Sequence, residues 1–408
     1  MQRARLIPAL VVGALALAAC GSNANDPAPG DALTGEPIIL GAQVPLKGAA
    51  AFPQSGDGID AGVWYVNNVL GGVNGRPLDV DVCAGDGSPE TAINCANKFA
   101  SSGVPAVLDA YDLSMGGAVP ILVDAGVPFI GTLAGTPVPD AAKYGSGFYF
   151  SGPTALSAVG TMTVLKNLDK QKLALGVTDV PSTHSYVDNL MQPIAQTLGM
   201  TLDTSYISSS GANFNVIAAT QIASDPDVTG IMALPEDGCT SLFQAIRQQG
   251  FDGTIFAGSC SQFIDQMGAD AAGAIIQPRL WVPLSYSHAP EDVQGQLDDF
   301  DAAMTEIDKG QELSARSLYS FALVVNMANV LKGIDGEITS DSIVDAMKSL
   351  VDFPTFAGPS VTCDGQQWPG LPSSCSREAI FFEVQADGSV KPVDDKVWVE
   401  LDPSVVPK

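Results

Sequence analysis

The chain has 408 residues, 46% of them hydrophobic, and sets 19 basic against 45 acidic side chains, a formal net charge of −26 at pH 7. A surface that acidic repels phosphate backbones, which excludes nucleic acid as a partner. The length exceeds what one core usually holds, so two domains are expected.

The first residues, MQRARLIPALVVGALALAAC, join a basic start (Arg3, Arg5) to an apolar stretch over Leu6–Ala19. That stretch is shorter than the ~20 residues that cross a hydrocarbon core, and it suits the apolar region of a secretory signal over residues 1–19. It ends in Leu17-Ala18-Ala19-Cys20-Gly21, which resembles a bacterial lipobox and by that resemblance implies cleavage before Cys20 and lipid on its thiol. Ordinary cleavage after an Ala-x-Ala site would leave Cys20 free. Residues 20–36 are small, polar and proline-bearing, and read as a flexible tether. The protein is thus expected outside the cytoplasm, lipid-anchored to the outer face of the bacterial cytoplasmic membrane. Loss of Arg3 and Arg5 leaves 17 basic against 45 acidic residues, a net charge near −28.

After the tether, short apolar runs alternate with helix-length segments. The pattern predicts a strand over 37–44 and a helix over 58–70, with Ile59, Val63, Val66 and Leu70 on one face. A Gly-rich turn, a strand over 78–82 and a helix over 89–101 follow. Residues 104–136 form a strand–helix–strand unit. Its apolar run 104–108 ends in the polar loop Asp109–Ser114. A helical segment bears Val119, Leu122 and Val123, and the second run, 127–130, ends in a loop of small and hydroxyl residues. Short apolar runs around a helix read as buried parallel strands. In such sheets ligands sit beyond the carboxyl ends of the strands, so both loops are expected at the functional edge.

Past Gly152-Pro153 a second series begins: helix 154–168, strand 173–177, helix 185–198, strand 202–207, helix 213–224, strand 230–234, helix 239–249 and strand 254–257. Helices over 290–309, 314–332 and 339–350 come later, then a hairpin-like strand pair, Ala379–Val384 and Val397–Leu401. Two doubly wound α/β lobes are expected. With Cys20 set aside, six of the seven cysteines remain, an even number that suits disulfides outside the cytoplasm. Local spacing favours Cys83 with Cys95, Cys239 with Cys260, and Cys363 with Cys375. A metal site is not expected, because no Cys-x-x-Cys occurs and neither His184 nor His288 lies near a cysteine pair.

At this point the chain resembles a known family. The strand PIILGAQVPLKG, the loop with Phe52, the run VNNVLGGVNGRPLDVDVCAGDGSPETA, then VPFIGTLAG, ALPEDGCTSLFQAIRQQGFDGTIFAGS and FFEVQADGSVKPV are similar to branched-chain amino-acid-type substrate-binding proteins. These are the type I periplasmic binding proteins that serve ABC transporters. The resemblance implies two Rossmann-like lobes joined by three crossovers and closing on a ligand by a hinge. Lobe I would comprise residues 37–153 and 286–358, lobe II residues 154–285 and 359–401. It also implies a monomer without cofactors that takes a small-molecule ligand to a permease, and no catalysis.

The resemblance carries ligand-binding roles onto particular positions. A carboxylate would be held by the loop Tyr111-Asp112-Leu113-Ser114 and by Ala134-Gly135-Thr136, and Phe52 would lie over the ligand. Ser114 at a helix N-terminus favours an anionic group, or is a plain cap. On lobe II, Tyr186 or His184 falls where the family has a pocket aromatic. Two departures stand out. The loop expected to carry an ammonium-binding acid reads Gly258-Ser259-Cys260-Ser261, without a carboxylate. Asp112 stands where a carboxylate would bind and would repel it. Glu236 and Asp237, in the preceding lobe II loop, are candidates to replace the missing acid. A neutral or hydroxylated ligand, an amide or an unusual amino compound fits as well as a leucine-like one.

Other classes fit poorly. Gly56, Gly58 and Ala61 match the dinucleotide pattern G-x-G-x-x-A, but the loop before them is too long for its tight turn, and Asp57 and Asp60 would face the pyrophosphate. A hydrolase lacks the G-x-S-x-G elbow, and His184 has only sequence neighbours such as Asp179 and Asp188 to recommend it. A ligand-sensing receptor component of the same fold is the second reading, and an extracytoplasmic hydrolase the third.

Overall fold

The computed structural model describes residues 33–48, 51–208, 211–234, 236–311 and 313–407. The expected signal segment, Cys20 and most of the tether lie outside the described residues. The tether's end is docked: the Thr34 amide donates to the Gly75 carbonyl at 2.9 Å, and Arg76 Nε donates to the Glu36 carbonyl at 3.0 Å.

Five parallel strands form the first sheet: β1 (Ile38–Pro45), β2 (Leu78–Gly85), β3 (Val107–Asp109), β4 (Phe129–Gly131) and β5 (Gly147–Tyr149), in the order 2-1-3-4-5. The second sheet takes β6 (Lys172–Thr178), β7 (Thr201–Ile207), β8 (Val228–Ala233), β9 (Thr254–Phe256) and β10 (Ile275–Ile276). Beyond β10 the chain adds β11 (Glu378–Ala379), β12 (Phe382–Val384), β13 (Val390–Pro392) and β14 (Val399–Glu400). The second sheet runs 13-12-10-9-8-6-7, and β11 pairs with β14 apart from it. The expected hairpin is therefore split. Ala379 does pair with Val399, antiparallel, but Phe382 pairs with Pro392 and with Ile276. The tight turn of 385–388 gives β12 a nearer partner than the distant 397–401 segment.

Other differences are local. The first helix starts at Pro53, not at residue 58, because proline at the first helical position is favourable. The helix expected over 185–198 is Pro181–Tyr186, a π-helical turn Val187–Met191, and Gln192–Thr197. Strand β5 was not anticipated.

The late helices return to the first sheet. Helix Ala315–Lys332 packs along helix Pro53–Asn68. A Cβ at Gly58 would lie 2.1 Å from the Ser317 carbonyl oxygen, and one at Gly62 would lie 2.8 Å from Val324 Cβ. Gly58, from the apparent dinucleotide pattern, and Gly62 thus permit close helix contact. The largest core runs between these helices and the first sheet and on into the second half through Trp281, which packs on Phe382. A further core fills the other face of the first sheet around Phe99 and Phe129, and another surrounds Leu156, Met162 and Trp368.

Residues 361–375, expected with lobe II, lie along the free edge of the first sheet. Tyr149 pairs with Ser374, the Tyr149 amide donates to Ser373 at 2.7 Å, and the Cys375 amide donates to Tyr149 at 2.9 Å. This segment thus covers the edge of the short strand β5 at Tyr149. The indole of Trp368, from the same loop, enters the core around Leu156. All three cysteine pairings expected from spacing are present: Cys83–Cys95, Cys239–Cys260 and Cys363–Cys375. No helix of the described residues is long and apolar enough to cross a membrane.

Candidate functional site

The carboxyl ends of β1, β3 and β4 open onto one small cavity. Its lining includes Asp109 at the end of β3 and Tyr111 after it, Thr132 after β4, Ser55 from helix Pro53–Asn68, and Arg316 and Tyr319 from helix Ala315–Lys332. The room in it for a water-sized sphere is about 10 Å³, enough for roughly one water, so a solute enters only when the side chains around it part.

The aromatic groups here are built around a cation. Arg316 Cζ lies 3.9 Å from the ring centre of Tyr111 and 4.5 Å from that of Phe52, and the two rings are 5.8 Å apart. Tyr111 sits at φ +64°, a left-handed conformation that costs a non-glycine residue of order 1–3 kcal/mol and is held only where its surroundings demand it. Asp109 is buried, accepting the Tyr149 hydroxyl at 2.6 Å and the Asp112 amide at 2.9 Å. Burial pushes its carboxyl up to about 7. The Tyr319 carbonyl accepts the Thr132 hydroxyl at 2.8 Å.

Behind Tyr111 and Tyr319 lies Arg279, on the passage from β10 back to the first half. Its backbone amide donates to the Tyr319 hydroxyl at 3.0 Å. Its Nη2 donates to Ser157 Oγ at 2.7 Å. Its Nη1 is buried without a partner, and the guanidinium makes no ion pair among the described residues. Burial lowers its pKa, and the nearby Tyr319, Tyr111 and Tyr186 hydroxyls and Asp140 act in the opposite direction.

Across the cleft, Glu236 opens helix Glu236–Gln248. Its carboxylate accepts the Ser261 and Gln262 amides, each at 3.1 Å. It therefore occupies the loop 258–262, where the sequence itself has no acid. Burial raises its pKa, against the effect of those amides and of the Arg316 charge on the other lobe. Glu236 and both sulfurs of Cys239–Cys260 lie within 4.8 Å of one another, but the disulfide leaves no thiolate to bind a metal.

The remaining sequence candidates fall elsewhere. Asp112 is buried inside lobe I: Oδ2 accepts Gln43 Nε2 at 2.8 Å, and Oδ1 accepts the Ser114 amide at 2.8 Å and its hydroxyl at 2.7 Å. Ser114 is thereby turned onto Asp112. Ala134 belongs to the core around Phe99. Gly135 lies against Leu113, and Thr136 Oγ1 is buried without a partner. None of these five residues lines the cavity. His184 stacks on Tyr206, ring centres 3.7 Å apart, and its Nε2 lies 2.8 Å from Asp179, which holds it against the edge strand β7. Tyr186 packs against the core around Leu156, and burial raises its pKa. Ser259 and Asp237 are exposed, and Asp237 accepts the Gly238 amide at 2.9 Å.

Ser55, Asp109, Arg279, Arg316 and Tyr319 were not anticipated. One signal was available: in a chain this acidic, Arg279 interrupts the apolar run IIQPRLWVPL, and Arg316 heads a helix that is apolar for most of its length.

A family model described as periplasmic binding protein matches residues 37–388. A Leu/Ile/Val-binding protein homolog 1 from Brucella abortus is 23% identical over 346 residues, 82% of this chain and 88% of that protein. A leucine-binding protein LivK from Thermotoga maritima superposes with a TM-score of 0.69 at 15% identity, over 90% of this chain and 99% of that one. An ABC transporter substrate-binding protein from Desulfitobacterium hafniense, solved in complex with Leu, gives 0.66 at 18% identity, over 88% and 100%. These structures share the two-lobed type I fold with this chain.

Proposed function

Because the chain belongs to the periplasmic binding protein family, we propose that it captures a small polar solute, an amino acid or related compound, between its two lobes and hands it unchanged to an ABC importer. The observation that carries this reading is the charge arrangement across the cleft. Lobe I presents Arg316 and Asp109 in one small cavity, and lobe II presents Glu236, whose carboxyl feels the Arg316 charge. A zwitterionic solute offers each side its complement. No arrangement of nucleophile, base and orienting group accompanies the cavity among the described residues, which favours capture over chemistry.

The solute docks on the lobe I loops and lobe II closes over it. For closure to be driven by the ligand, the closed state must bind it more tightly than the open one. Asp112 and Ser114 act in this reading as the internal support of the Tyr111 loop, and Phe52 as one wall of the Arg316 stack. Glu236 takes the place of the family acid missing beside Ser259. The lipobox supports anchoring through Cys20, which a mass measurement of the mature N-terminal peptide checks.

The test is a thermal-shift screen of amino acids, amides, polyols and small aromatic acids, with recovery of the bound compound by mass spectrometry. A saturating ligand at a hundred times its Kd stabilises by about 2.7 kcal/mol. Stabilisation with the compound recovered intact supports capture. Consumption of the compound, or no stabilisation by any of them, overturns it.

A further inference from the structure

We infer that Arg316 is the carboxylate anchor of the cleft, so that the solute is an acid recognised through a stacked guanidinium, and not a polyol or an amide. This deepens the capture reading above and rests on it.

Four observations carry it. First, the place where a helix N-terminus would greet a solute carboxylate is already taken. The amide and hydroxyl of Ser114 both donate to Asp112, at 2.8 and 2.7 Å, so an internal carboxylate fills the start of helix Met115–Asp124. An external one must find its donors elsewhere. Second, Arg316 lines the cavity beside Asp109 and Tyr319, and its N–H groups meet no protein acceptor among the described residues, in a chain with 45 acidic side chains. Third, the guanidinium is pre-positioned. Its face lies over Tyr111 and Phe52, a stacking that leaves the planar N–H edge for a planar acceptor, and a carboxylate matches that edge with two parallel hydrogen bonds. The left-handed backbone of Tyr111 holds the ring on which the cation rests.

Fourth, the nearby acids do not satisfy it. Glu236 stands on the other lobe with its carboxylate accepting two backbone amides, and Asp109 accepts Tyr149 and the Asp112 amide. A solute carboxylate would be the first hydrogen-bond acceptor of the Arg316 guanidinium among the described residues. Closure would then bring Glu236 towards the solute's amino group.

The experiment uses the whole mature chain and a paired panel: the twenty common L-amino acids and their carboxamides, with affinities by calorimetry for every compound that raises Tm. At least one acid is expected to bind, with its carboxamide about 30-fold weaker or more, the usual scale for breaking a desolvated charge pair. Arg316→Gln should bring the acid down to the affinity of its amide, and Arg316→Lys should restore part of the difference. Equal binding of acid and amide by the natural chain, or an acid preference that survives in Arg316→Gln, would overturn the inference and leave capture standing. If no compound of the panel raises Tm, the inference falls, and the wider screen of amides, polyols and aromatic acids decides capture separately. Should Arg316→Gln fail to fold by circular dichroism, the comparison of acid with amide on the natural chain decides alone.

Discussion

Replacing Gly58 by alanine should destabilise the protein, although alanine is the better helix former. In an unobstructed helix interior the exchange gains about 1 kcal/mol. At Gly58 the new Cβ would sit 2.1 Å from the backbone oxygen of Ser317 and 2.8 Å from its carbonyl carbon. Ordinary contact begins at 3.4 Å, so helix Ala315–Lys332 must retreat by roughly 1.3 Å or the two helices must part. Overpacking of this kind costs typically about 1–3 kcal/mol, towards the upper end here because the obstacle is backbone and cannot rotate aside. The net expectation is a loss of about 1–2 kcal/mol, read from urea unfolding followed by tryptophan fluorescence. Gly295, within helix Glu291–Glu306 and with nothing within 4 Å of its would-be Cβ, is the control: Gly295→Ala should stabilise by up to about 1 kcal/mol. The same helix shift would move Arg316 relative to Tyr111, so Gly58→Ala should also weaken solute binding while Gly295→Ala should not. If both variants gain stability alike, the close packing of these helices is wrong.

Further outcomes follow from the site and its supports. Asp109 has its pKa raised by burial to about 7 from an unfolded value near 3.8. The folded state therefore holds a proton that the unfolded state releases, and this group's contribution to stability is lost as pH rises from about 4 to about 7, at up to ~1.4 kcal/mol per pH unit. Asp109→Asn should flatten that part of the pH–stability curve, and an unchanged slope would refute the assignment. Glu236→Gln should weaken binding of an amino acid more than binding of the corresponding desamino acid, measured by calorimetry. Converting both Cys239 and Cys260 to serine should reduce solute affinity, because the bridge ties the helix bearing Glu236 to the loop that Glu236 caps. The same change at Cys83 and Cys95, on the first lobe, should cost about 2–4 kcal/mol of stability with less effect on affinity.

The strand–helix alternation was legible because buried parallel strands and amphipathic helices leave different periods in the chain. Strand β5 was not: it is no shorter than β3 or β4, but its aromatic residues stand between Gly147 and Gly152, without the aliphatic run that marks those two. The hairpin was mispaired because strand partners depend on turn geometry: Gly388, at φ +85°, lets the chain reverse so that β12 meets β13. Loop 109–114 does reach the cavity, but through Asp109, at the end of β3, and Tyr111, and not through Asp112. Two acids three residues apart cannot be told apart by sequence when one caps a helix from within and the other faces the opening. Arg316 was missed for another reason. It lies some two hundred residues from Tyr111, and only the return of the late helices brings the two together.

The loop between Cys363 and Cys375 has one more consequence. Its Cys375 end is stitched to the first sheet at Tyr149, while its indole is sunk among the side chains of the other half. A rivet of this kind leaves little play where it sits. If the halves swing as proposed above, Trp368 would serve as a fixed point of that swing, and Glu236 would travel towards Arg316.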